Sequence, residues 1–214
     1  MKNNRNISRK DRLKSKRLAP ANYLIVCEGE QTEPNYFKGL KKKINENYGN
    51  KVDVLISNIE IKGTGENTTA LVKHTDKFVN YSNKRYGQVW VVFDKDDYSD
   101  EQFDKAIKTC DCDVAWSNPN FELWLLAHFK KLSRYVSKDD VLQELSKEFQ
   151  KKGLGDYTKN GTNIFDKVTD EGKLHTAIKN CEYMEELNKN GQASPRNPMT
   201  KVYKIVDGLK EYLE

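Results

Sequence analysis

The chain contains no run of apolar residues long enough to cross a membrane. A transmembrane helix needs roughly 18 or more apolar residues in succession, and every apolar stretch here is much shorter. The N-terminus carries charges but no apolar segment behind them, so we expect no secretory signal. Both absences favour a protein of the cytoplasm with no membrane partner.

Cysteines are few, and their spacing excludes the common metal motifs. The four cysteines include no C-x-x-C pair, and Cys110-x-Cys112 does not have the spacing of zinc ligands. Cys27 lies in an apolar segment, where a free cysteine commonly packs as a small hydrophobic residue. We therefore predict neither a cysteine-bound metal nor a disulfide.

The sequence also lacks the motifs of several well-known enzyme classes. No G-x-G-x-x-G fingerprint of dinucleotide-binding proteins occurs, and no G-x-S-x-G elbow of the hydrolases. The loop Gly63-Thr64-Gly65 resembles a phosphate-binding loop only loosely, because it lacks the G-K-[ST] ending. The chain thus has no nucleotide-hydrolysis motif of its own.

Positive charge is concentrated at the N-terminus. Residues 1–20 contain eight Lys or Arg side chains and one acid, Asp11, whereas the net charge of the whole chain is only +5. The rest of the chain is therefore slightly acidic. We interpret residues 1–20 as a flexible basic arm, and such arms often bind nucleic acids through the phosphates. The same composition also fits a solvated tail that only aids solubility.

The order of apolar patterns predicts the fold class. A chain of 214 residues is long enough for an α/β domain with a hydrophobic core. The periodicities predict strands at 22–27, 52–61, 88–93 and 113–116, and helices at 34–46, 68–81 and 99–109. Farther on they predict only helices, at 120–131, 138–150, 173–189 and 199–213. We therefore expect an α/β core of mainly parallel sheet flanked by helices, residues 21–131, with a helical C-terminal part, residues 132–214, packed on it.

A group of acids follows the most apolar strand. The segment from Val89 to Phe93 is continuously apolar, as in a strand buried on both faces, and Asp94, Asp96 and Asp97 come directly after it. Ligands bind at the carboxyl ends of strands in open α/β sheets, and carboxylates are the ligands that hard divalent cations take. The alternative is a solvated turn, in which Asp is common for local reasons.

The first strand ends in the same way. Glu28 follows the apolar strand 22–27, and Gly29 after it allows a tight turn or the close approach of a phosphate. A glutamate at this position can bind metal or act as a general acid or base. The acids of this loop also fit a helix N-terminus, where negative charge is favourable, and we assign Glu33 to that structural role.

The third segment runs from Ser117 to Phe129. Pro119 after Asn118 indicates a helix start, with Asn118 as N-cap. Glu122 stands among apolar residues, where a charge is costly unless it is paired or bound to metal, so it is a site candidate. A glutamate favoured only by the helix dipole is the alternative. We interpret His128 as a packed or hydrogen-bonded histidine.

Together these segments resemble the RloB family, whose core is similar to the TOPRIM fold of topoisomerases, primases and OLD-type nucleases. The matching segments run from Leu24 to Phe37, from Val89 to Asp97, and from Ser117 to Phe129, with Asn197 to Tyr203 near the end. The three main motifs occur in order at sensible spacing, and the resemblance extends from about residue 20 to the C-terminus.

The resemblance implies a particular chemistry. Glu28 matches the TOPRIM glutamate after the first strand, and Asp94 and Asp96 match the D-x-D after the central strand. In TOPRIM enzymes these residues hold Mg²⁺, for which Mn²⁺ can substitute, and the glutamate has acid/base or metal-binding duties. We add Glu122 as a fourth candidate catalytic residue that supports the metal site.

The implied activity is Mg²⁺-dependent cleavage of DNA or RNA in antiphage defence. RloB-type genes occur in restriction-modification and abortive-infection loci, often beside an ATPase gene, so a partner ATPase is also implied. The alternative is a non-catalytic TOPRIM-like module that senses a phage component or regulates the ATPase. Metal affinity discriminates between the two, because a binding module has no need of Mg²⁺.

Overall fold

A five-stranded sheet organises the fold, in the order β2-β1-β3-β4-β5. The computed structural model describes residues 22–48, 53–58, 68–95, 98–169 and 173–213. The strands are β1 (Asn22–Cys27), β2 (Asp53–Asn58), β3 (Gln88–Asp94), β4 (Asp113–Asn118) and β5 (Met199–Thr200). β1 to β4 are parallel, and β5 adds a short antiparallel edge to β4. The prediction of a mainly parallel sheet is confirmed.

Helices connect the strands and follow them. They are α1 (Thr32–Tyr48), α2 (Thr68–Tyr81), α3 (Asp100–Thr109), α4 (Glu122–Ala127), α5 (Lys138–Lys151), α6 (Ile164–Thr169), α7 (Lys173–Leu187) and α8 (Val202–Leu209), followed by a 3₁₀ turn at Lys210–Tyr212. The α/β fold with flanking helices is thus confirmed. Within the described ranges, every helix falls short of the length or the apolar content that crossing a bilayer requires.

Three elements differ from the prediction. The helix predicted at 120–131 extends only from Glu122 to Ala127, because i→i+3 hydrogen bonds tighten the chain at both ends of it. The helix predicted at 199–213 is preceded by strand β5, whose two residues are too few to show an alternating pattern. α6 was not predicted, because a six-residue helix covers less than two turns of the period.

Apolar burial explains why the first half folds as it does. Residues 23–27 of β1 and residues 91–93 of β3 are buried, as expected for strands covered on both faces. In α1, Tyr36, Phe37 and Leu40 recur at helical spacing and are fully buried. Full burial of such side chains contributes roughly 1.5–3 kcal/mol each. This packing fixes the first turn of α1 beside the carboxyl end of β1.

The C-terminal helices pack closely on this part of the chain. Gly39 of α1 faces Phe165 of α6, and a Cβ at Gly39 would overlap with the Phe165 Cβ. A glycine therefore allows the two helices to approach each other here. The contact places the segment before α6 near the start of α1.

The cysteines differ in one respect from the prediction. Cys110 and Cys112 form a disulfide, with Cα atoms 5.3 Å apart, although no disulfide was expected. Cys110 ends α3 in an extended conformation, and the chain then turns directly into β4, which brings the two side chains together. Cys27 is free and buried in β1, as its apolar surroundings predict.

Candidate active site

Glu28 and Asp94 lie side by side at the carboxyl edge of the sheet. β1 and β3 are adjacent and parallel, and the backbone N–H of Glu28 donates to the Val92 carbonyl at 2.9 Å. Glu28 Oε2 accepts a long hydrogen bond, 3.4 Å, from the backbone N–H of Asp94. Its Oε1 accepts from the Tyr98 hydroxyl. The two acids that end the apolar strands are therefore brought together.

Asp94 has one satisfied and one unsatisfied carboxylate oxygen. Oδ2 accepts from the backbone N–H of Phe121 at 3.0 Å, whereas Oδ1 is shielded from solvent and has no hydrogen-bond partner in the described part of the chain. Burial raises the pKa of Asp94 well above its usual range, and the charges of Glu33, Glu122 and Glu28 raise it further. Such an oxygen is poised to accept a proton or a cation.

Glu122 is buried at the start of α4. Glu122 is only 3% exposed, and every other residue of α4 is buried as well. Oε1 accepts a hydrogen bond of 2.8 Å from the Tyr157 hydroxyl, and the Lys159 ammonium nitrogen lies 3.9 Å from the same oxygen. A buried charge requires such partners. Both partners come from the C-terminal half, in the loop between α5 and α6.

Asn118 does not cap the helix as predicted. It is the last residue of β4, and Phe121 occupies the N-cap position of α4 without a side-chain hydrogen bond. The Asn118 amide instead donates to the Ser194 carbonyl at 2.8 Å and accepts from Asn197 Nδ2 at 3.1 Å. β4 continues beyond its apolar residues because β5 pairs with its end. Asn118 therefore forms hydrogen bonds with the C-terminal loop and does not cap α4.

Glu33 lies at the helix N-terminus to which the sequence assigns it, and it also belongs to the acidic group. It lies in the first turn of α1 but is only 7% exposed. Burial raises its pKa to about 7, and the charges of Glu122 and Glu28 contribute. The signal was available in the sequence: Tyr36 and Phe37, which follow within one turn, predict that this turn lies against the core. The favourable position of an acid at a helix N-terminus does not by itself indicate that Glu33 is buried.

Gly29→Ala is expected to displace the Glu33 carboxylate. An added Cβ would overlap with the carboxylate oxygens, and the end of a flexible side chain must then move. We expect a folded protein in which the metal site proposed below has about tenfold lower affinity for Mn²⁺ by calorimetry, as when groups around a metal site are disturbed. Gly208→Ala is the control, because a Cβ there meets nothing within 4 Å. Equal Mn²⁺ affinity in both variants would contradict the prediction.

Four acidic residues line one cleft. It has a volume of about 340 Å³ and is lined by Glu30, Glu33, Asp94 and Glu122 and by Gly29, whereas Glu28 is not among the described lining residues. Lys159 is the one cationic residue among those that the structure places on its wall. The arrangement concentrates negative charge at the carboxyl edge of a parallel sheet, where ligands of α/β proteins bind.

The donor atoms of the cleft fit a hard divalent cation. The acidic side chains offer only oxygens, and Asp94 Oδ1 has no hydrogen-bond partner among the residues that the structure describes. Within the described ranges, no three or more His, Cys, Asp or Glu side chains already stand in a metal-binding arrangement. Asp96 and Asp97, together with residues 1–20 and the Gly63-Thr64-Gly65 loop, lie outside the described residues. The prediction that Asp96 is a ligand therefore stays a prediction.

His128 is a packed histidine, as its sequence context predicts. It is 2% exposed, and its ring packs edge-on against Trp124, with centroids 4.7 Å apart. Its Nδ1 lies 3.0 Å from the Trp124 carbonyl oxygen. Burial lowers the pKa of His128 to about 4, so the ring is neutral near pH 7.

His128→Asn should make the protein less sensitive to mild acid. The unfolded chain protonates His128 below pH 6.5 and the folded chain only near pH 4, so stability falls as the pH falls through this window. Asparagine does not titrate and can still donate to the Trp124 carbonyl. Urea unfolding at pH 7 and pH 5 should show the wild type losing about 2 kcal/mol relative to the variant. An equal loss of stability in the wild type and the variant between pH 7 and pH 5 would show that His128 is not the titrating group.

The fold and the cleft define a class: an α/β protein with an acidic site at the carboxyl edge of a parallel sheet. The model of one family, described as RloB-like protein, matches residues 23–209 of the chain. The protein therefore belongs to the RloB-like family, as its motifs indicated. Neither the curated proteins nor the solved structures include a match.

Proposed function

We propose that the protein is a Mg²⁺-dependent nuclease of the TOPRIM type that hydrolyses phosphodiester bonds in DNA or RNA. The observation that carries the proposal is Asp94 Oδ1, which is buried without a hydrogen-bond partner among the described residues and is close to other carboxylates. Like charges held together out of water are costly unless a cation offsets them. The RloB-like family membership and the TOPRIM-like motifs support the same chemistry.

Glu28, Asp94 and Asp96 are the residues proposed to hold the cation, with Glu122 beside them. When bound, Mg²⁺ or Mn²⁺ supplies charge that polarises the phosphate and makes a water molecule a better nucleophile. The hydrogen bonds of the free protein already orient two of these carboxylates. The Tyr98 hydroxyl donates a hydrogen bond to Glu28. The backbone N–H of Phe121 donates one to Asp94 Oδ2, and this bond does not involve Oδ1.

We assign proton transfer to Glu33. Its pKa of about 7 allows the carboxyl group to hold a proton in one state and release it in the next near neutral pH. Phosphodiester cleavage requires a proton for the leaving oxygen, and Glu33 lines the cleft in which the phosphate would lie. Neighbouring acids with different proton affinities suit a metal-binding role and an acid role in one site.

We further propose that the activity serves antiphage defence in the cytoplasm, together with an ATPase encoded nearby. The resemblance to RloB-type proteins of restriction and abortive-infection loci supports the role. The absence of a P-loop in the sequence supports an ATPase in a separate chain. The basic arm of residues 1–20 would hold the nucleic-acid backbone.

A cleavage screen tests the proposal. Full-length protein is incubated with labelled single- and double-stranded DNA and RNA in Mg²⁺, Mn²⁺ or EDTA, beside an Asp94→Asn, Asp96→Asn double variant. Calorimetric titration of both proteins with Mn²⁺ accompanies the screen. We expect metal-dependent cleavage and saturable metal binding in the wild type only. Nucleic-acid binding without metal affinity or cleavage would instead identify a non-catalytic binding module.

A further inference from the structure

Among the described residues that line the cleft, one side chain is cationic and several are acidic. Glu30, Glu33, Asp94 and Glu122 line it, and Lys159 faces them. A phosphodiester is itself an anion and is repelled by carboxylates. A divalent cation can offset part of this repulsion, but a fixed positive charge at the cleft also attracts the phosphate before metal and substrate meet. Lys159 is the described residue in position to do so.

The loop from Tyr157 to Asn160 forms hydrogen bonds with two helices that contribute to the cleft, α1 and α4. The Thr32 hydroxyl donates to the Lys159 carbonyl at 3.1 Å, and Asn35 Nδ2 donates to the Asn160 carbonyl at 3.3 Å. Both donors belong to the first turn of α1. On the other side, the Tyr157 hydroxyl donates to Glu122 of α4 at 2.8 Å. The backbone that carries Lys159 is therefore held in place by two different helices.

The side chain of Lys159 is held less tightly than its backbone. Its Nζ lies 3.9 Å from Glu122 Oε1, which is at the outer limit of an ion pair, and its side chain is 56% exposed. The Glu122 side chain, in contrast, is 4% exposed and has Tyr157 as a second partner. The ammonium group can therefore turn towards a ligand while Glu122 keeps a hydrogen bond.

We propose that Lys159 binds a phosphate of the nucleic-acid substrate, and that the loop from Tyr157 to Asn160 positions it. This inference rests on the proposed nuclease function and names one residue that recognises its phosphodiester substrate. It also makes the C-terminal half a part of the site, because the loop is supplied by the segment between α5 and α6.

Salt dependence of binding provides the test. Fluorescein-labelled DNA and RNA oligonucleotides of one sequence are titrated with the full chain in EDTA at 50–200 mM NaCl, and anisotropy gives the dissociation constants. The variants are Lys159→Ala and Lys159→Arg, with Lys152→Ala as control, since Lys152 is exposed after α5 and does not line the cleft. Cleavage by each protein is measured in parallel with Mg²⁺ and Mn²⁺.

The plot of log affinity against log salt has a negative slope. Each phosphate contact that is lost reduces the magnitude of this slope by about 0.9 on duplex DNA and by about 0.7 on single strands. We expect that reduction for Lys159→Ala alone, with affinity weaker by at least about threefold at 50 mM NaCl and restored by Lys159→Arg. A larger effect on DNA or on RNA identifies the substrate.

The possible outcomes separate the inference from the proposed function. Equal slopes for Lys159→Ala and Lys152→Ala, with cleavage intact in the wild type, overturn the inference and leave the nuclease proposal standing. A reduced slope without cleavage in any metal supports Lys159 as a phosphate ligand and contradicts the nuclease proposal. A wild type that binds no oligonucleotide in EDTA overturns the inference, and one that also cleaves none with Mg²⁺ or Mn²⁺ overturns both.

Discussion

Asp94→Asn is expected to abolish metal-dependent cleavage and, at the same time, to stabilise the protein. Asparagine has nearly the same shape, and its oxygen can still accept the Phe121 N–H that now holds Oδ2. It removes a carboxylate whose pKa is raised by burial first and by Glu33, Glu122 and Glu28 after that. We expect cleavage to fall at least ~100-fold, because a proposed metal ligand is lost.

The stability gain should depend on pH in a defined direction. A raised carboxyl pKa means that the folded chain holds the proton longer than the unfolded chain as the pH rises. The penalty is absent in acid, where both states are protonated, and is largest at alkaline pH. Urea unfolding should therefore show Asp94→Asn more stable than the wild type at pH 8, and little changed at pH 4.

Asp113→Asn is the matched control. Asp113 is exposed at the first residue of β4, the opposite end of the sheet from the cleft. Its substitution should leave both cleavage and the pH dependence unchanged. If Asp94→Asn loses activity and stability together, the ionised carboxylate of Asp94 stabilises the fold, because the asparagine oxygen keeps the hydrogen bond from Phe121. Only a loss of cleavage together with a gain in stability supports the view that the carboxylate is kept for function at the expense of stability.

The sequence predicts the fold and two acids of the site, Glu28 and Asp94, for one physical reason. β1 and β3 are buried on both faces, so each is a short continuous apolar run that ends abruptly at a charge. The residues after these runs, Glu28 and Asp94, must then reach one edge because the strands are parallel neighbours. Local pattern and sheet geometry together are sufficient for this inference.

The rest of the site depends on contacts between distant segments. Thr32 is 127 residues from Lys159, and Tyr157 is 35 residues from its partner Glu122. Residues 152–163 have no periodic pattern to place them, and the two-residue strand β5 has none either. Such contacts are decided by how α6 packs on α1, which the periodicity of either helix does not report. Glu33 is the intermediate case, because its helix was predicted but its burial was not.

Glu33→Gln provides the second large expected effect, and it tests the role of burial directly. The pKa of Glu33 is about 7 in the folded chain, compared with 4.5 for an ordinary glutamate. Between these values the folded state holds a proton that the unfolded state has lost, so wild-type stability decreases as the pH rises through this window. Above pH 7 the full penalty is about 3 kcal/mol. Glutamine carries no charge, so the variant should exceed the wild type by this amount at pH 8 and equal it near pH 4.

Glu46→Gln on the same helix controls for helix effects, because Glu46 is exposed and pairs only loosely with Lys42, at 3.9 Å. Its removal should change stability by no more than about 0.5 kcal/mol at any pH. Saturating Mn²⁺ at pH 8 should stabilise the wild type more than Glu33→Gln, because a cation in the cleft offsets the repulsion that the variant has already lost. Stability curves of the wild type and Glu33→Gln that remain parallel from pH 4 to pH 8 would contradict the assignment. An ionised Glu33 that costs nothing would mean that water reaches its carboxylate, and that neither burial nor the charges of Glu122 and Glu28 penalise its ionisation.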